Sequence, residues 1–113
     1  MLRDDDVVLV VSNAPDTILA ERISRVLVEG GLAACVNFGA PVRSVYSWNG
    51  QIETAEEIPL WIKTTAGRQQ ALVQALAELH PYEVPEILIV PVAGGMESYL
   101  QWVRQHTAVS SAS

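Results

Sequence analysis

The chain has 113 residues, of which half are hydrophobic and only 18% are charged, and its formal net charge is −6. A chain of this length suits one domain, residues 1–113, with a core predicted between about residues 6 and 106 and a flexible tail over residues 107–113. The seven basic residues are scattered, which argues against nucleic acid as a partner, and no stretch approaches the ~20 apolar residues that a membrane-spanning helix needs.

The first third of the chain predicts a strand, a helix and a second strand. The β-branched run from Asp6 to Ser12 is typical of a central strand. Asp16 is well placed to cap a helix. The buried side of that helix is predicted to carry Leu19, Ile23, Val26 and Leu27. The Gly30-Gly31 pair ends the helix, because glycine adopts a left-handed closing conformation most easily. Residues 32–38 return as a buried strand, and residues 39–41 interrupt it as a bulge or kink.

The segment from Val42 to Lys63 predicts a long β-hairpin. Its turn is Asn49-Gly50, a favoured two-residue hairpin turn because both residues tolerate positive φ. Alternation places Tyr46 and Trp48 on one face near the tip, and we expect this tip to extend past the core of its own subunit. Pro59 lacks an N–H group, so its place on the returning arm is expected to be an unpaired edge position.

A second helix, a stiff corner, a strand and a closing helix complete the predicted elements. The helix covers residues 66–80. Its buried side is predicted to carry Leu72, Ala75, Leu76 and Leu79. Prolines at both ends of the stretch HPYEVPE make an extended corner before the strand at residues 86–92. The closing helix covers residues 96–106. It is predicted to bury Tyr99, Leu100, Trp102 and Val103.

The element order is β-α-β-β-α-β with a short C-terminal helix. This order predicts an α+β fold of the ferredoxin-like split βαβ type, with an antiparallel sheet and two helices on one face. No helix remains for the other face, although the strands are apolar on both sides, so this face is expected to pack against another chain. The single cysteine, Cys35, and an N-terminus without a cleavable apolar run favour a cytoplasmic location.

Four blocks of the sequence resemble the CutA family, small trimeric proteins linked to divalent-cation tolerance. The blocks are CVNFGAPVRSVYSWNGQIE, WIKTT, HPYEVPEIL and YLQWV, in the family's order and spacing within a match from about Val7 to Val103. The resemblance implies a ferredoxin-like subunit, a homotrimer and a role in the response to divalent metals, copper above all. It implies no established enzymatic activity. Ser12 stands where some members have a cysteine, and Asn49 where the turn often has a glutamate, and both changes weaken a soft-metal site.

Donors for copper or another divalent metal ion are few, and no cofactor is certain. The candidates are Cys35, His80, His106, Met1 and Met96. No two of them have a spacing that forms a site within one chain. In a trimer, one donor per subunit near the axis would become three, which leaves Cys35 and His80 as weak metal candidates. A lone cysteine in an apolar strand is, however, more often a small core residue.

The stretch HPYEVPE is the stronger candidate for a site, because several polar and aromatic side chains converge there. The residues expected to line a cleft between subunits are Lys63, His80, Tyr82, Glu86, Glu57 and Trp48. The expected ligand is a metal ion or a small anion. In the alternative interpretation, His80 only closes the preceding helix and Tyr82 packs against a neighbour.

The large aromatic side chains are expected to anchor the subunit interface. They are Tyr46, Trp48, Trp61, Tyr99 and Trp102. Two alternatives to a metal-binding function stay open: an adaptor trimer without direct metal binding, and an enzyme that uses Lys63 with Glu86 or His80 as an acid–base set. We expect no enzyme, because the sequence lacks a Ser-His-Asp constellation, a glycine-rich phosphate loop and a spaced pair of carboxylates.

Overall fold

A computed structural model describes residues 1–108 and contains five strands and three helices in that range. The elements are β1 (Val7–Ala14), α1 (Thr17–Glu29), β2 (Cys35–Phe38), β3 (Val42–Trp48), β4 (Gln51–Thr65), α2 (Ala66–Leu79), β5 (Ile87–Pro91) and α3 (Glu97–His106). The strands pair antiparallel in the order β2-β4-β1-β5, and β3 pairs with the first half of β4. This is the predicted ferredoxin-like α+β arrangement.

The central strand β4 is long enough to pair with three other strands. Its residues 58–65 pair with β1, residues 60–63 with β2 and residues 51–57 with β3. β2 and β3 therefore follow the same edge of β4, with the predicted interruption between them. Glycine suits this kink at Gly39, because a side chain there would meet the ring of Trp61 at 3.3 Å.

The prediction that Pro59 lies at an unpaired edge is wrong. Pro59 is in the central strand, opposite Asn13 of β1. Its carbonyl accepts a hydrogen bond from the Gly39 N–H at 3.2 Å. Because the N–H and C=O of one strand residue point to the same side, the missing N–H of proline falls where β2 has already ended.

The β3–β4 hairpin has the predicted tip. Trp48 pairs with Gln51 across Asn49 and Gly50, whose φ angles are 51° and 76°. Two consecutive left-handed residues form the tight turn that matches the twist of a hairpin. The molecule measures 47 × 30 × 24 Å, as expected for a hairpin that extends beyond the core.

Helices α1 and α2 cover one face of the sheet. The carboxylate of Asp16 accepts a hydrogen bond from the Leu19 N–H at 2.8 Å, which confirms the predicted cap of α1. Gly31 follows α1 with a φ of 71°. The larger buried side chains between these helices and the sheet are Val10, Ile23, Leu27, Ile58, Leu60, Ile62, Leu72 and Leu76.

Helix α3 packs on part of the opposite face, which we call the second sheet face, and this corrects the prediction that no helix covers it. Val103 packs against Val7 and Ala34. Thr107 is buried, and its hydroxyl donates to the Val103 carbonyl at 2.8 Å and lies 3.4 Å from the hydroxyl of Thr65. Residues 109–113 of the predicted tail lie outside the described residues.

The short length of α3 leaves much of the second sheet face uncovered. Of the four residues predicted to be buried on this helix, only Val103 is fully buried, whereas Tyr99 and Trp102 are exposed. Beyond α3 the face exposes three further large apolar side chains, Trp61, Leu88 and Val90. None of the helices within residues 1–108 has both the length and the apolar character needed to cross a bilayer.

Candidate functional site

A cavity of about 730 Å³ lies between the β3–β4 hairpin and the segment that follows α2. Its lining consists of Asn13, Ser44, Val45, Tyr46, Trp48, Glu53, Glu57, Tyr82, Glu83, Val84, Pro85 and Glu86. Four of the six residues predicted to form a ligand pocket are therefore brought together, while Lys63 and His80 lie outside this lining.

His80 holds the corner in place. Pro81 disfavours a helical conformation at the preceding residue, so α2 ends and His80 is extended, with φ −87° and ψ 133°. The Tyr82 N–H donates to Nδ1 of His80 at 3.2 Å, and Nε2 lies 2.6 Å from the Asn13 carbonyl. Because Nδ1 accepts a hydrogen bond, the proton lies on Nε2, which donates to Asn13. Both ring nitrogens are thus engaged within the chain.

Glu86 is tied to the end of β1. The Ser12 hydroxyl donates to the Glu86 carbonyl at 2.6 Å, and the Asn13 side-chain amide donates to the Glu86 carboxylate at 3.0 Å. These bonds and the contacts of His80 fix the corner against the sheet. One wall of the cavity is therefore rigid, which suits a preformed ligand site.

The other wall places the largely buried side chain of Glu57 near the phenol of Tyr82. Glu57 is only 8% exposed, and it lies beside the hydroxyl of Tyr82. Burial raises the pKa of Tyr82 above its ordinary value of 10.0, and the negative charge of the nearby Glu57 raises this pKa further. The phenol therefore stays protonated at pH values where a free tyrosine has begun to ionise.

We expect Glu57→Gln to lower the pKa of Tyr82 toward its ordinary value, because the substitution removes the repulsive charge but not the burial. Ultraviolet titration of tyrosinate, with Tyr82→Phe to assign the signal, measures this shift. Since the folded-state pKa is the higher one, protonated Tyr82 stabilises the fold below pH 10, and this contribution disappears as the pH rises through that pKa. An unchanged titration in Glu57→Gln would show that the carboxylate does not face the phenol.

The cavity is acidic and partly aromatic. Four glutamates, two from each wall, line it, and its lining contains no lysine, arginine or histidine. Three aromatic rings also line it, those of Tyr46, Trp48 and Tyr82. A negatively charged cavity with aromatic walls attracts positively charged ligands and repels anions.

Lys63 lies on the second sheet face, away from the cavity. Its ammonium group donates to the side-chain carbonyl of Asn37 and lies 4.0 Å from the sulfur of Cys35. Lys63 pairs with Leu9, four residues along β1 from the Asn13 that binds His80, and this spacing corresponds to about 13 Å. Within one chain, Lys63 is thus not assembled with His80 into an acid–base set.

Cys35 and His80, the weak metal candidates, lie in different parts of the fold: Cys35 is in β2, and His80 directly follows α2. Cys35 is half-buried on the second sheet face, close to Tyr99, whose pKa is raised above 10.0 by burial and, to a lesser degree, by Cys35. His106 is exposed, and its Nδ1 lies 2.9 Å from the Trp102 carbonyl. Within residues 1–108, no three or more histidine, cysteine, aspartate or glutamate side chains are grouped to hold a metal ion.

The aromatic residues predicted at an interface are all substantially exposed in the single chain. They are Tyr46, Trp48, Trp61, Tyr99 and Trp102. Two of them stack on α3, where the rings of Tyr99 and Trp102 have centroids 5.6 Å apart. Such rings are available to contact another chain, and their role as interface anchors stays a prediction.

Sequence reasoning missed Asn13, Ser44, Glu53 and Glu83 among the polar residues of the cavity. Glu53 was accessible from the sequence, because the two-residue turn fixes the register and pairs it with Tyr46. Asn13 was not accessible from the sequence, because only the packing of residues 80–86 against the end of β1 brings it to the site.

Comparisons with known proteins agree with this fold. A family model described as CutA1 divalent ion tolerance protein matches residues 8–106. The divalent-cation tolerance protein CutA of Pectobacterium atrosepticum is 42% identical over 98 residues, which cover 87% of this chain and 89% of the relative.

Solved structures are similar over nearly the whole length. A crystal structure of CutA from Xylella fastidiosa has a TM-score of 0.88 at 46% identity and covers 90% of this chain and 98% of its own. A structure described as the periplasmic divalent cation tolerance protein CutA from Archaeoglobus fulgidus has a TM-score of 0.86 at 32% identity, covering 89% and 98%. The chain therefore belongs to the family of CutA1 divalent ion tolerance proteins.

Proposed function

We propose that the protein is a cytoplasmic homotrimer that takes part in tolerance of, or response to, divalent metal ions, copper first among them. It does so by holding a metal ion or another small ligand in a cleft between subunits. Membership of the divalent ion tolerance family supports the role. The observation that carries the ligand site is the acidic cavity with the largely buried side chain of Glu57 in its wall.

Exposed apolar surface supports assembly. Trp61, Leu88 and Val90 lie on the part of the second sheet face that α3 leaves uncovered. A monomer seldom leaves so much contiguous apolar surface in water, and packing these faces together removes it. The projecting hairpin then carries the cavity, with Trp48 at its rim, toward a neighbouring subunit.

The cysteine content supports the cytoplasmic location. The chain has a single cysteine, Cys35, and its thiol is free. A chain without a disulfide suits a reducing compartment.

The charge of the cavity supports a cation rather than a small anion as its ligand. Copper(II) binds imidazole and oxygen donors, but both nitrogens of His80 are already hydrogen-bonded within the chain. The available donors are carboxylates, and a single chain does not group three of them within residues 1–108. Carboxylates from more than one subunit would complete the coordination of a metal ion.

The proposal predicts copper binding that depends on Glu57. Copper(II) chloride titrated calorimetrically into the assembled wild-type protein should give a saturable isotherm. Glu57→Gln keeps the shape of the side chain but removes its charge, so the affinity should fall about tenfold or more. Glu56→Gln is the matched control, because Glu56 is exposed, is the adjacent residue and lies outside the cavity lining.

Comparison of Glu57→Gln with Glu56→Gln separates an effect of the cavity from an effect of net charge. An equal loss in both variants would show that copper responds to net charge and not to the cavity, which contradicts the proposal. Flat titrations with copper and zinc chloride, with the oligomer intact, would instead support an adaptor trimer without direct metal binding.

A further inference from the structure

The side chain of Glu57 is largely buried in the cavity wall, and it has no positive partner among residues 1–108. It is 8% exposed, and the ion pairs among residues 1–108 are Arg25–Glu21 and Arg104–Glu97, neither of which involves it. Its polar neighbour is the uncharged hydroxyl of Tyr82. Negative charge that lines a partly enclosed cavity without a countercharge favours the entry of a cation.

The size and walls of the cavity fit an organic cation better than a bare metal ion. A volume of about 730 Å³ is within the range of small-molecule sites, roughly 300 to 1,000 Å³, and is far larger than one ion needs. Aromatic and apolar side chains, including Trp48, Tyr82 and Val84, form much of the lining. Such walls suit a hydrocarbon chain, and the faces of aromatic rings attract ammonium groups.

Carboxylates lie on both walls of the cavity, which indicates a ligand with more than one positive charge. Glu53 and Glu57 lie on the hairpin wall, and Glu83 and Glu86 lie on the wall after α2. The carboxylate of Glu86 also accepts a hydrogen bond from the Asn13 side-chain amide. Two ammonium groups joined by a short methylene chain would meet carboxylates on both walls with apolar surface between them.

We propose that the cavity binds a small aliphatic diamine in its doubly protonated form, with one ammonium group paired to Glu57. The inference rests on the ligand site of the proposed function and names the class of cation that enters it. The methylene chain lies against the rings of Trp48 and Tyr82, and the second ammonium group is paired with a carboxylate of the opposite wall.

Calorimetric titration of the assembled protein with 1,4-diaminobutane tests this inference. We expect a saturable isotherm with one site per chain, weakened by added sodium chloride because charge pairing contributes to it. Butane-1,4-diol, which has hydroxyls in place of the ammonium groups, should give no binding. Glu57→Gln should raise the dissociation constant about tenfold or more, and Glu53→Gln less, whereas Glu56→Gln should leave it unchanged.

Titration of the same variants with copper(II) chloride distinguishes a failure of the diamine inference from a failure of the proposed function. A Glu57-dependent copper isotherm without a diamine isotherm overturns the diamine inference and leaves the proposed function standing. A diamine isotherm without copper binding supports the inference and removes metal as the ligand of this cavity. If neither ligand binds and Glu57→Gln loosens the oligomer, the partner of Glu57 is a cation of another subunit, and the inference is wrong.

Discussion

We expect the substitution Leu88→Glu to break the proposed homotrimer into single chains. Leu88 lies on the second sheet face in register with Val11, and its side chain is 56% exposed in the single chain. If subunits pack through this face, each copy then buries a carboxylate among apolar side chains, at a cost of several kcal/mol per ion. Since about 1.4 kcal/mol is a factor of ten, the dissociation constant should rise by about two orders of magnitude or more. Light scattering coupled to size-exclusion chromatography measures the mass at micromolar concentration.

The substitution Ile18→Glu is the matched control, because it also replaces an exposed apolar side chain by a carboxylate but lies outside the sheet. Ile18 is 83% exposed in the first turn of α1, where a carboxylate interacts favourably with the helix dipole. The mass and the melting temperature of this variant should match those of the wild type. A Leu88→Glu protein that folds and keeps the full oligomeric mass would show that the second sheet face is not the interface.

The substitution His80→Ala should destabilise the fold by about 2–4 kcal/mol. His80 is 7% exposed, and its removal leaves the Asn13 carbonyl and the Tyr82 N–H without their partners and a space where the ring packed. Chemical denaturation of the variant, compared with wild type, measures the change in the free energy of unfolding. Because neither ring nitrogen is free in the folded chain, the copper affinity of folded His80→Ala should stay close to that of the wild type.

His106→Ala is the matched histidine control. His106 is exposed on α3, and its ring contacts the neighbouring Trp102 of the same helix, so its loss should change the free energy of unfolding by less than about 0.5 kcal/mol. If His80→Ala instead left stability almost unchanged and abolished copper binding, His80 would be a ligand and not a structural clamp.

Much of the fold was predictable because it follows from local chemistry. The Asn49-Gly50 turn, the Asp16 cap and the order of the elements each depend on neighbouring residues only. The position of Pro59 could not be predicted in this way. Whether a strand is central or at an edge depends on distant strands that pair with it on both sides. The place of α3 on the sheet depends in the same way on the packing of Val103.

The candidate site was predictable in part for the same reason. The polar and aromatic residues of the corner and the hairpin indicate Glu57 and Tyr82 as site residues, and both line the cavity. Lys63 was predicted beside them, but it lies six residues along β4 from Glu57, a spacing of about 20 Å. The hydrogen bonds at both ring nitrogens of His80 depend in part on a carbonyl of β1 that no sequence pattern indicates.

A native mass spectrum of the wild-type protein, recorded with and without copper(II) chloride, tests the central claim most directly. The claim is that three copies shield their second sheet faces and so complete a cleft over the acidic cavity. It predicts a species of three 12.3 kDa chains that takes up copper as an intact assembly. A folded single chain of 12.3 kDa at micromolar concentration would contradict both the assembly and the shared site.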